Sequence, residues 1–247
     1  MRHLPRLLAA GFSCLILSCA STVTAAPQDD ATQQFVAPPS EESSEAAALI
    51  DKTRSALAAG ATTSEILSDP VFLPVHAHKR FRTLIRDNAR SAKTTLVTRQ
   101  EPGEALIATG TVRDPGGRPV AGALVYVYQT SAKGWYSDKA PHLSGMGGDT
   151  GHARLFAYMT TGSDGIYEFR TIRPAGYPRS DLPAHIHCHI EPPAGAGHTM
   201  VTEIQFDDDP RLTPEWRERS RSDGFVIARP TRDAAGVWHV TADFRVR

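Results

Sequence analysis

From residue 103 onwards, apolar and polar residues alternate in short runs that are separated by turn signals. Alternation with a period of two is typical of strands that bury one face. The runs at 155–160 and 166–171 flank a Gly-Ser-Asp-Gly turn, which predicts a hairpin. This spacing predicts a mostly β protein with a β-sandwich over residues 101–247. Further strands are predicted at 105–112, 120–128, 184–191, 199–206, 225–228 and 237–246.

Residues 45–100 follow a helical pattern instead. Phe81, Leu84 and Ile85 stand at positions i, i+3 and i+4, which predicts a helix with one apolar face. This segment is therefore a small helical N-terminal extension of the sandwich. It either covers part of the main domain or forms a subunit contact, as in a homodimer, and the sequence leaves both open. The predicted helices span 46–59, 63–67 and 78–92.

Residues 1–26 have the features of a secretory signal peptide. Arg2 and Arg6 give a positive start, and the apolar segment that follows is too short to span a membrane comfortably. Small residues at 23–26 offer a cleavage site. We therefore expect an exported protein, periplasmic or extracellular, whose mature chain has no integral membrane span. The alternatives are an uncleaved N-terminal anchor and lipoprotein anchoring at Cys19, which follows Ile-Leu-Ser.

The composition of the mature chain narrows the class of protein. Residues 27–44 are polar and contain proline, which predicts a flexible linker. In the full sequence, a hydrophobic fraction of 40% excludes a disordered chain, and equal numbers of basic and acidic residues argue against a nucleic-acid partner. Once residues 1–26 are removed, Cys188 is the only cysteine and no internal disulfide can form. Stability must then come from a packed core or from a metal.

Three histidines alternate along one predicted strand. On a strand, residues two apart share a face, so His185, His187 and His189 point the same way. Two imidazoles in this arrangement can bind one metal ion without distorting the strand. A polar strand face is the simpler interpretation, and a Zn or Cu site on all three histidines is a further alternative.

Two tyrosines in predicted loops change the kind of metal that fits. Tyr136 lies at the start of a long loop and Tyr177 lies in a tight turn just before the histidine strand. Phenolate is a hard, anionic oxygen donor, which suits an oxophilic trivalent ion such as Fe(III). Taken alone, both tyrosines are more simply interpreted as packing aromatics.

The segment from residue 110 to about 206 resembles the intradiol ring-cleavage dioxygenases, the family of catechol 1,2- and protocatechuate 3,4-dioxygenases. The resemblance is carried, in the order of the family, by GTVRDPGGRPVAGALVYVYQT, GWYS, GSDGIYEFRTIRPAGYP and PAHIHCHI. It implies a non-haem Fe(III) ion held by Tyr136, Tyr177, His185 and His187. It also implies an activity in which O2 cleaves a catechol-type ring between its two hydroxylated carbons, giving a muconate-type diacid. Tyr177 is then catalytic, because the second tyrosinate of the family leaves the metal and accepts a proton.

Two positions depart from the family pattern. Leu182 stands where the catabolic enzymes have an arginine, and Glu203 stands where they have a glutamine. A pocket that loses a cation and gains an acid is less favourable to an anionic ring. These departures favour the alternative of a secreted metal- or catechol-binding module without turnover. Arg173 and Arg179 are nearby candidates for the missing positive charge. The departures count against simple protocatechuate as the substrate, since its carboxylate also needs a cationic partner that the sequence does not place.

The remaining candidates surround the predicted site. His189 has no ligand counterpart in the resemblance and is assigned to the surroundings of the metal, as is Trp135 beside Tyr136. His142 and His152 are interpreted as surface histidines of the long loop. Cys188 faces away from the histidine row and is expected to be a small core residue.

Overall fold

Two β-sheets dominate the computed structural model, which describes residues 34–39 and 43–247. The first sheet has the strand order β10-β9-β8-β4-β6, and the second has the order β11-β12-β3-β7-β2 with β13 beside β3. The expected mostly β sandwich is confirmed. The strands are Phe35–Val36 (β1), Lys93–Thr95 (β2), Ala105–Arg113 (β3), Leu124–Gln129 (β4), His142–Leu143 (β5), Leu155–Thr160 (β6), Ile166–Ile172 (β7), His185–Glu191 (β8), Met200–Phe206 (β9), Val226–Ala228 (β10), Thr231–Arg232 (β11), Trp238–Thr241 (β12) and Phe244–Arg245 (β13).

The core lies between the two sheets. Strand β8 is antiparallel to both β4 and β9, and these three strands form the middle of the first sheet. Their inward residues are fully buried, among them Val127, Ile186, Cys188 and Ile204. Burying an aliphatic side chain of this size contributes roughly 1.5–3 kcal/mol. The outward face of the same strands is therefore available for other groups without loss of the core.

The helical extension packs on the outward face of the first sheet. Phe81 and Ile85 are buried as the pattern predicts, and Phe81 meets Phe156 of β6 edge to face. The third predicted helix is shorter than expected, because it ends at Asp87 before the chain enters β2. The helices are Ser44–Ala58 (α1), Thr63–Ser68 (α2), Lys79–Asp87 (α3), Gly148–His152 (α4) and Pro214–Asp223 (α5), with a 3₁₀ turn at Pro70–Val75.

A buried arginine joins this extension to the long loop after β4. Arg82 donates hydrogen bonds to the carbonyls of Thr150 (3.1 Å) and Ala153 (2.8 Å) and to the hydroxyl of Tyr126. Its guanidinium carbon lies 3.7 Å from the centre of the Phe156 ring. The extension thus covers part of the main domain, which was one of its two expected tasks.

The N-terminal region is described only in part. Within the predicted linker 27–44, Phe35–Val36 forms a short parallel pair with His142–Leu143, and α1 begins at Ser44. The predicted signal peptide 1–26, with Cys19, lies outside the described residues. Among the described residues, no helix combines the length and the apolar character that crossing a bilayer requires.

Candidate metal centre

Strand β8 presents two imidazoles on the outward face of the first sheet. His185 and His187 alternate with Ile186 and Cys188, whose side chains are completely buried in the core. The imidazole of His187 stacks on the ring of Tyr128 from β4, with ring centres 4.4 Å apart. Packing on one face and stacking on the other fix the direction of the two histidines before any ligand binds.

Two loops bring the tyrosines to these imidazoles. Tyr136 follows β4, and Tyr177 lies in the turn between β7 and β8. The loops touch at Gly134, which has a φ of 75°, and a Cβ there would lie 2.3 Å from the carbonyl oxygen of Gly176. Only glycine accepts both this conformation and this contact. Gly134 is therefore required for the two phenols to meet.

The four side chains place their donor atoms close together. The phenol oxygens of Tyr136 and Tyr177 are 2.6 Å apart, and the Nε2 atoms of His185 and His187 are 3.1 Å apart. Tyr136 Oη lies 2.8 Å from His187 Nε2, and Tyr177 Oη lies 3.0 Å from His185 Nε2. Neighbouring ligands of one ion, with bonds of about 2.1 Å, are spaced about 3 Å apart. The cluster has the spacing of a single coordination shell.

The other ring nitrogens show which imidazole atoms face the cluster. His185 Nδ1 donates a hydrogen bond to the Pro183 carbonyl at 2.7 Å, so its Nε2 carries the lone pair. His187 Nδ1 lies 3.5 Å from Glu203 Oε1, and a carboxylate can only accept. An acceptor behind each imidazole is the arrangement that orients metal-binding histidines.

Burial controls the charges in this cluster. It raises the pKa of Tyr136 and Tyr177 above the usual range for phenols, and the neighbouring phenol adds to the effect at Tyr136. Burial, with the nearby His185 and His189, holds the pKa of His187 well below its usual value. The protein alone therefore favours neutral phenols at Tyr136 and Tyr177 and a neutral imidazole at His187. Two phenolates would leave a single positive charge on a trivalent ion, so the donor set fits Fe(III), whose binding would release both phenol protons.

Comparison with known proteins identifies the family. The family model Dioxygenase_C, described as Dioxygenase, matches residues 83–247. The chain is 29% identical over 139 residues to catechol 1,2-dioxygenase 1 of Acinetobacter lwoffii, covering 50% of this chain and 42% of that protein. It is 32% identical over 155 residues to the protocatechuate 3,4-dioxygenase beta chain of Burkholderia cepacia, covering 57% and 60%. The chain belongs to the intradiol dioxygenase family.

The fold of this family member is similar to that of a solved structure. Catechol 1,2-dioxygenase from Acinetobacter sp. ADP1 is 19% identical, covers 83% of this chain and 79% of that chain, and gives a TM-score of 0.50. The dioxygenase domain of a carbohydrate-binding fusion protein from Streptomyces sp. SirexAA-E is 25% identical, with a TM-score of 0.47 and coverage of 64% and 88%. The chain spans about half the length of the relatives it matches in sequence.

Glu203 and His189 lie beside the four donors. Glu203 forms a compact group with His185 and His187, whose ligand atoms lie within 4.8 Å of one another. Its carboxylate, however, faces Nδ1 of His187 rather than the Nε2 atoms. His189 shares the face but packs against Tyr126 and Tyr128, with ring centres 5.4 and 6.0 Å away. Among the described residues, the group of close ligand atoms contains His185, His187 and Glu203 but not His189. The three histidines of the alternative Zn or Cu site are therefore not brought together.

His142 is not the surface residue that the sequence suggested. It is buried, and its ring centre lies 4.7 Å from that of Tyr177 and 5.9 Å from that of Tyr136. Its Nδ1 lies 2.9 Å from a carboxylate oxygen of Asp149, whose other oxygen accepts from the backbone N–H of Leu143. The His142–Asp149 pair therefore packs against the rings of both tyrosines and helps to hold them in place. His152 is half-buried and donates from Nδ1 to the Gly148 carbonyl at 3.1 Å.

A cavity of about 270 Å³ opens beside the cluster. Leu182 and Glu203, the two departures from the family pattern, both line it, as do residues of α5, a helix that the sequence pattern did not predict. Its lining comprises Tyr177, Leu182, Pro183, His185, His187, Glu203, Gln205, Trp216, Arg219, Asp223 and Phe225.

The other sequence candidates lie elsewhere. Trp135 lines a separate cavity of about 580 Å³ on the far side of the Tyr136 loop, with the Lys133 ammonium 5.8 Å from its ring centre. Arg173 pairs with Asp208 and stacks on Trp238, and neither Arg173 nor Arg179 lines the cavity beside the cluster. Neither arginine therefore supplies the missing positive charge to this cavity.

Proposed function

We propose that this protein is a non-haem Fe(III) dioxygenase that cleaves a catechol-type ring between its two hydroxylated carbons with O2, giving a muconate-type diacid. One observation carries the proposal. Two phenol oxygens and two imidazole nitrogens, drawn from three separate segments, converge within 2.6–3.4 Å beside a cavity. The family supplies the reaction class, and this donor set supports the metal.

The residues that would hold the ion are Tyr136, Tyr177, His185 and His187. A ferric ion bound there would supply Lewis acidity and would make a chelated catechol ring electron-rich enough to react with O2. The protein contributes fixed donors, with each imidazole oriented by an acceptor at Nδ1.

The two tyrosines differ in access to the cavity, and this difference supports different roles for them. Tyr136 is only 1% exposed and does not line the cavity, whereas Tyr177 does. An incoming catechol therefore meets Tyr177 first. Burial raises the pKa of the Tyr177 phenol, so a Tyr177 phenolate that is not bound to an ion would be a strong base. Tyr177 is thus the group that accepts a proton from a catechol hydroxyl.

The cavity lining orients the substrate and excludes water. Leu182, Pro183 and Trp216 give it apolar surface, while His185 and His187 lie at the metal end. A flat ring that enters from solvent is held between apolar side chains with its hydroxyls toward the donors. Such a site converts an encounter into an oriented complex, which is a large part of catalysis by positioning.

The proposal includes export to the periplasm or the extracellular space. It is supported by the basic start and the short apolar run of residues 1–26. An exported enzyme would act on aromatic compounds outside the cytoplasm.

The experiment combines metal analysis, visible spectroscopy and oxygen uptake with a panel of catechols. We expect one iron per chain, a tyrosinate-to-iron charge-transfer band that shifts when a catechol is added, and a dicarboxylic product. His187→Ala should lose the band, while His189→Ala, on the same strand face but outside the compact group, should keep it. A band that responds to catechol without oxygen uptake would identify a binding module instead, and a colourless, iron-free protein would overturn the proposal.

A further inference from the structure

Helix α5 forms one side of the cavity that opens on the metal centre. Trp216, Arg219 and Asp223, spaced i, i+3 and i+7, all line it. The helix is firmly bounded, because the Thr213 side chain accepts from the Trp216 N–H and Gly224 ends the helix with a φ of 78°. The residues of this face therefore have a fixed position relative to the cavity.

Arg219 is the unusual member of this face. Its guanidinium carbon lies 4.9 Å from the centre of the Trp216 ring, which holds the planar group against the indole. Within the described part of the chain, the guanidinium makes no hydrogen bond, and its nearest carboxylate, that of Asp223, lies 3.8 Å from Nε. Its side chain is 68% exposed. The donors of Arg219 are thus oriented by stacking and are not occupied by the protein.

The charges around the cavity make Arg219 the expected partner for an anionic group of a ligand. Arg219 is the only cation among the described lining residues, and Glu203 and Asp223 are the acids. Glu203 is directed at the imidazole of His187. If Arg219 were absent, the lining would hold two carboxylates and no cation, which disfavours any anionic ligand. A guanidinium at this place offsets the missing positive charge at Leu182.

We propose that Arg219 is a specificity-determining residue, which binds a carboxylate carried by the catechol ring at a position remote from its two hydroxyls. The inference rests on the proposed function, since it assumes that the hydroxyls face Tyr177, His185 and His187 at the metal end. The exposed Arg219 then faces the opposite, solvent side of the ring. Guanidinium is the side chain best suited to a planar carboxylate, which it binds through two parallel hydrogen bonds.

The test compares two ligands of the same size and different charge. The probes are 3,4-dihydroxybenzoate and its neutral counterpart 3,4-dihydroxybenzamide, with unsubstituted catechol as reference. Binding is measured by calorimetry on the iron-loaded protein without oxygen, and kcat/KM by oxygen uptake in air. We expect the carboxylate to bind about tenfold more tightly than the amide, a modest preference because Arg219 is exposed. Arg219→Gln should reduce this preference to about one.

Arg221 provides the matched control. It lies on the same helix with a 64% exposed side chain, but it lines a different cavity and approaches Glu218 at 3.7 Å. Arg221→Gln should preserve the tenfold preference for the carboxylate. Equal binding of the two probes by the unmodified protein, or an equal loss of preference in both variants, would overturn the inference. Absence of oxygen uptake with all three compounds would instead count against the proposed function, while the binding preference would still report on Arg219.

Discussion

The two faces of strand β8 have different roles: one packs in the core, and the other carries the histidines of the candidate site. On the inward face, Ile186, Cys188 and Ile190 are completely buried against the second sheet. On the outward face, His185 and His187 meet the two tyrosines and are covered by loops and helices rather than by a sheet. The difference teaches that a strand between two layers can separate stability from chemistry residue by residue, because its side chains alternate.

The faces also differ in how they respond to protons. On the inward face the titratable group of β8 is the Cys188 thiol, whose pKa is raised well above its usual value by burial. The outward side holds His187 and His189, whose pKa values are lowered by burial, and phenols whose pKa values are raised. Substitutions on the outward face should therefore change activity and pH response, and those on the inward face should change stability.

The largest expected effect is that of Tyr177→Phe on activity. In the proposed function, the change removes the group that accepts the catechol proton and one donor to the metal, so we expect oxygen uptake to fall by roughly 10²–10⁴-fold. The free energy of unfolding of the iron-free protein should change by no more than about 1 kcal/mol, because the ring remains packed. Oxygen uptake and urea unfolding measure the two quantities.

Tyr158→Phe is the control for that substitution. Tyr158 lies on the outward face of β6, opposite Tyr126, and does not line the cavity. It should keep the activity and the visible band. If Tyr177→Phe retained the rate of the unmodified protein, the proton-accepting role would have to be abandoned.

Ile186→Ala tests the inward face. Removing three carbons from a fully buried side chain should lower the free energy of unfolding by about 2–5 kcal/mol, because a cavity is left in the core. Ile186→Val should cost about 0.5–1.5 kcal/mol. The intensity of the visible band per folded molecule should remain, although Ile186 stands between the two histidines proposed as ligands. Loss of the band in fully folded Ile186→Ala protein would show that the two faces are not separable.

Part of this architecture could be predicted from the sequence, and the reasons differ by element. The alternation of β8 fixes the directions of His185 and His187, since a strand permits only two faces. The approach of Tyr136 and Tyr177 could not be derived from local pattern, because loop contacts such as that at Gly134 depend on tertiary structure; the prediction came from the family resemblance. The same limit explains why His142 was misplaced, since its partner Asp149 meets it only through the path of the loop.

Helix α5 was not predicted from the sequence, and the reason differs from that for the loop contacts. Its signals are local: Thr213 before Pro214 at the start, and Gly224 immediately after the end. They were present in the sequence but lie in a segment of mixed charges with no apolar periodicity. The cavity cation Arg219 was missed with the helix.

Acid sensitivity should come from the outward side of the sheet. His76 belongs to the extension and packs against Phe81 and Phe156, and burial lowers its pKa to about 4. In the unfolded chain a histidine titrates near 6.5, so the unfolded state gains a proton first as the pH falls. Stability is fully present above about pH 6.5 and is lost towards pH 4, by about 3 kcal/mol from His76.

The measurement is the free energy of unfolding of iron-free protein between pH 7 and 4. His76→Gln should flatten this dependence but leave the part that comes from His187 and His189, whose pKa values are also lowered by burial. An identical pH profile in the variant would show that His76 is protonated at no cost in the folded protein.

The smallest expected effect is that of Glu203→Gln on iron affinity. This substitution separates the orientation of the His187 imidazole from the negative charge of the carboxylate that faces it. The amide oxygen can still accept from His187 Nδ1, 3.5 Å from the present carboxylate, so the imidazole keeps its direction. The loss of negative charge makes His187 a weaker donor, and iron affinity should fall by up to about tenfold. Glu203→Leu removes the acceptor as well and should lower iron affinity further.

Glu191→Gln is the control, because it affects only an exposed ion pair with Arg86. It should leave iron affinity unchanged in a competition with a chelator. Equal affinities in all three variants would mean that the carboxylate at 203 contributes nothing to the metal centre, and that the imidazole is held by its stacking on Tyr128 alone.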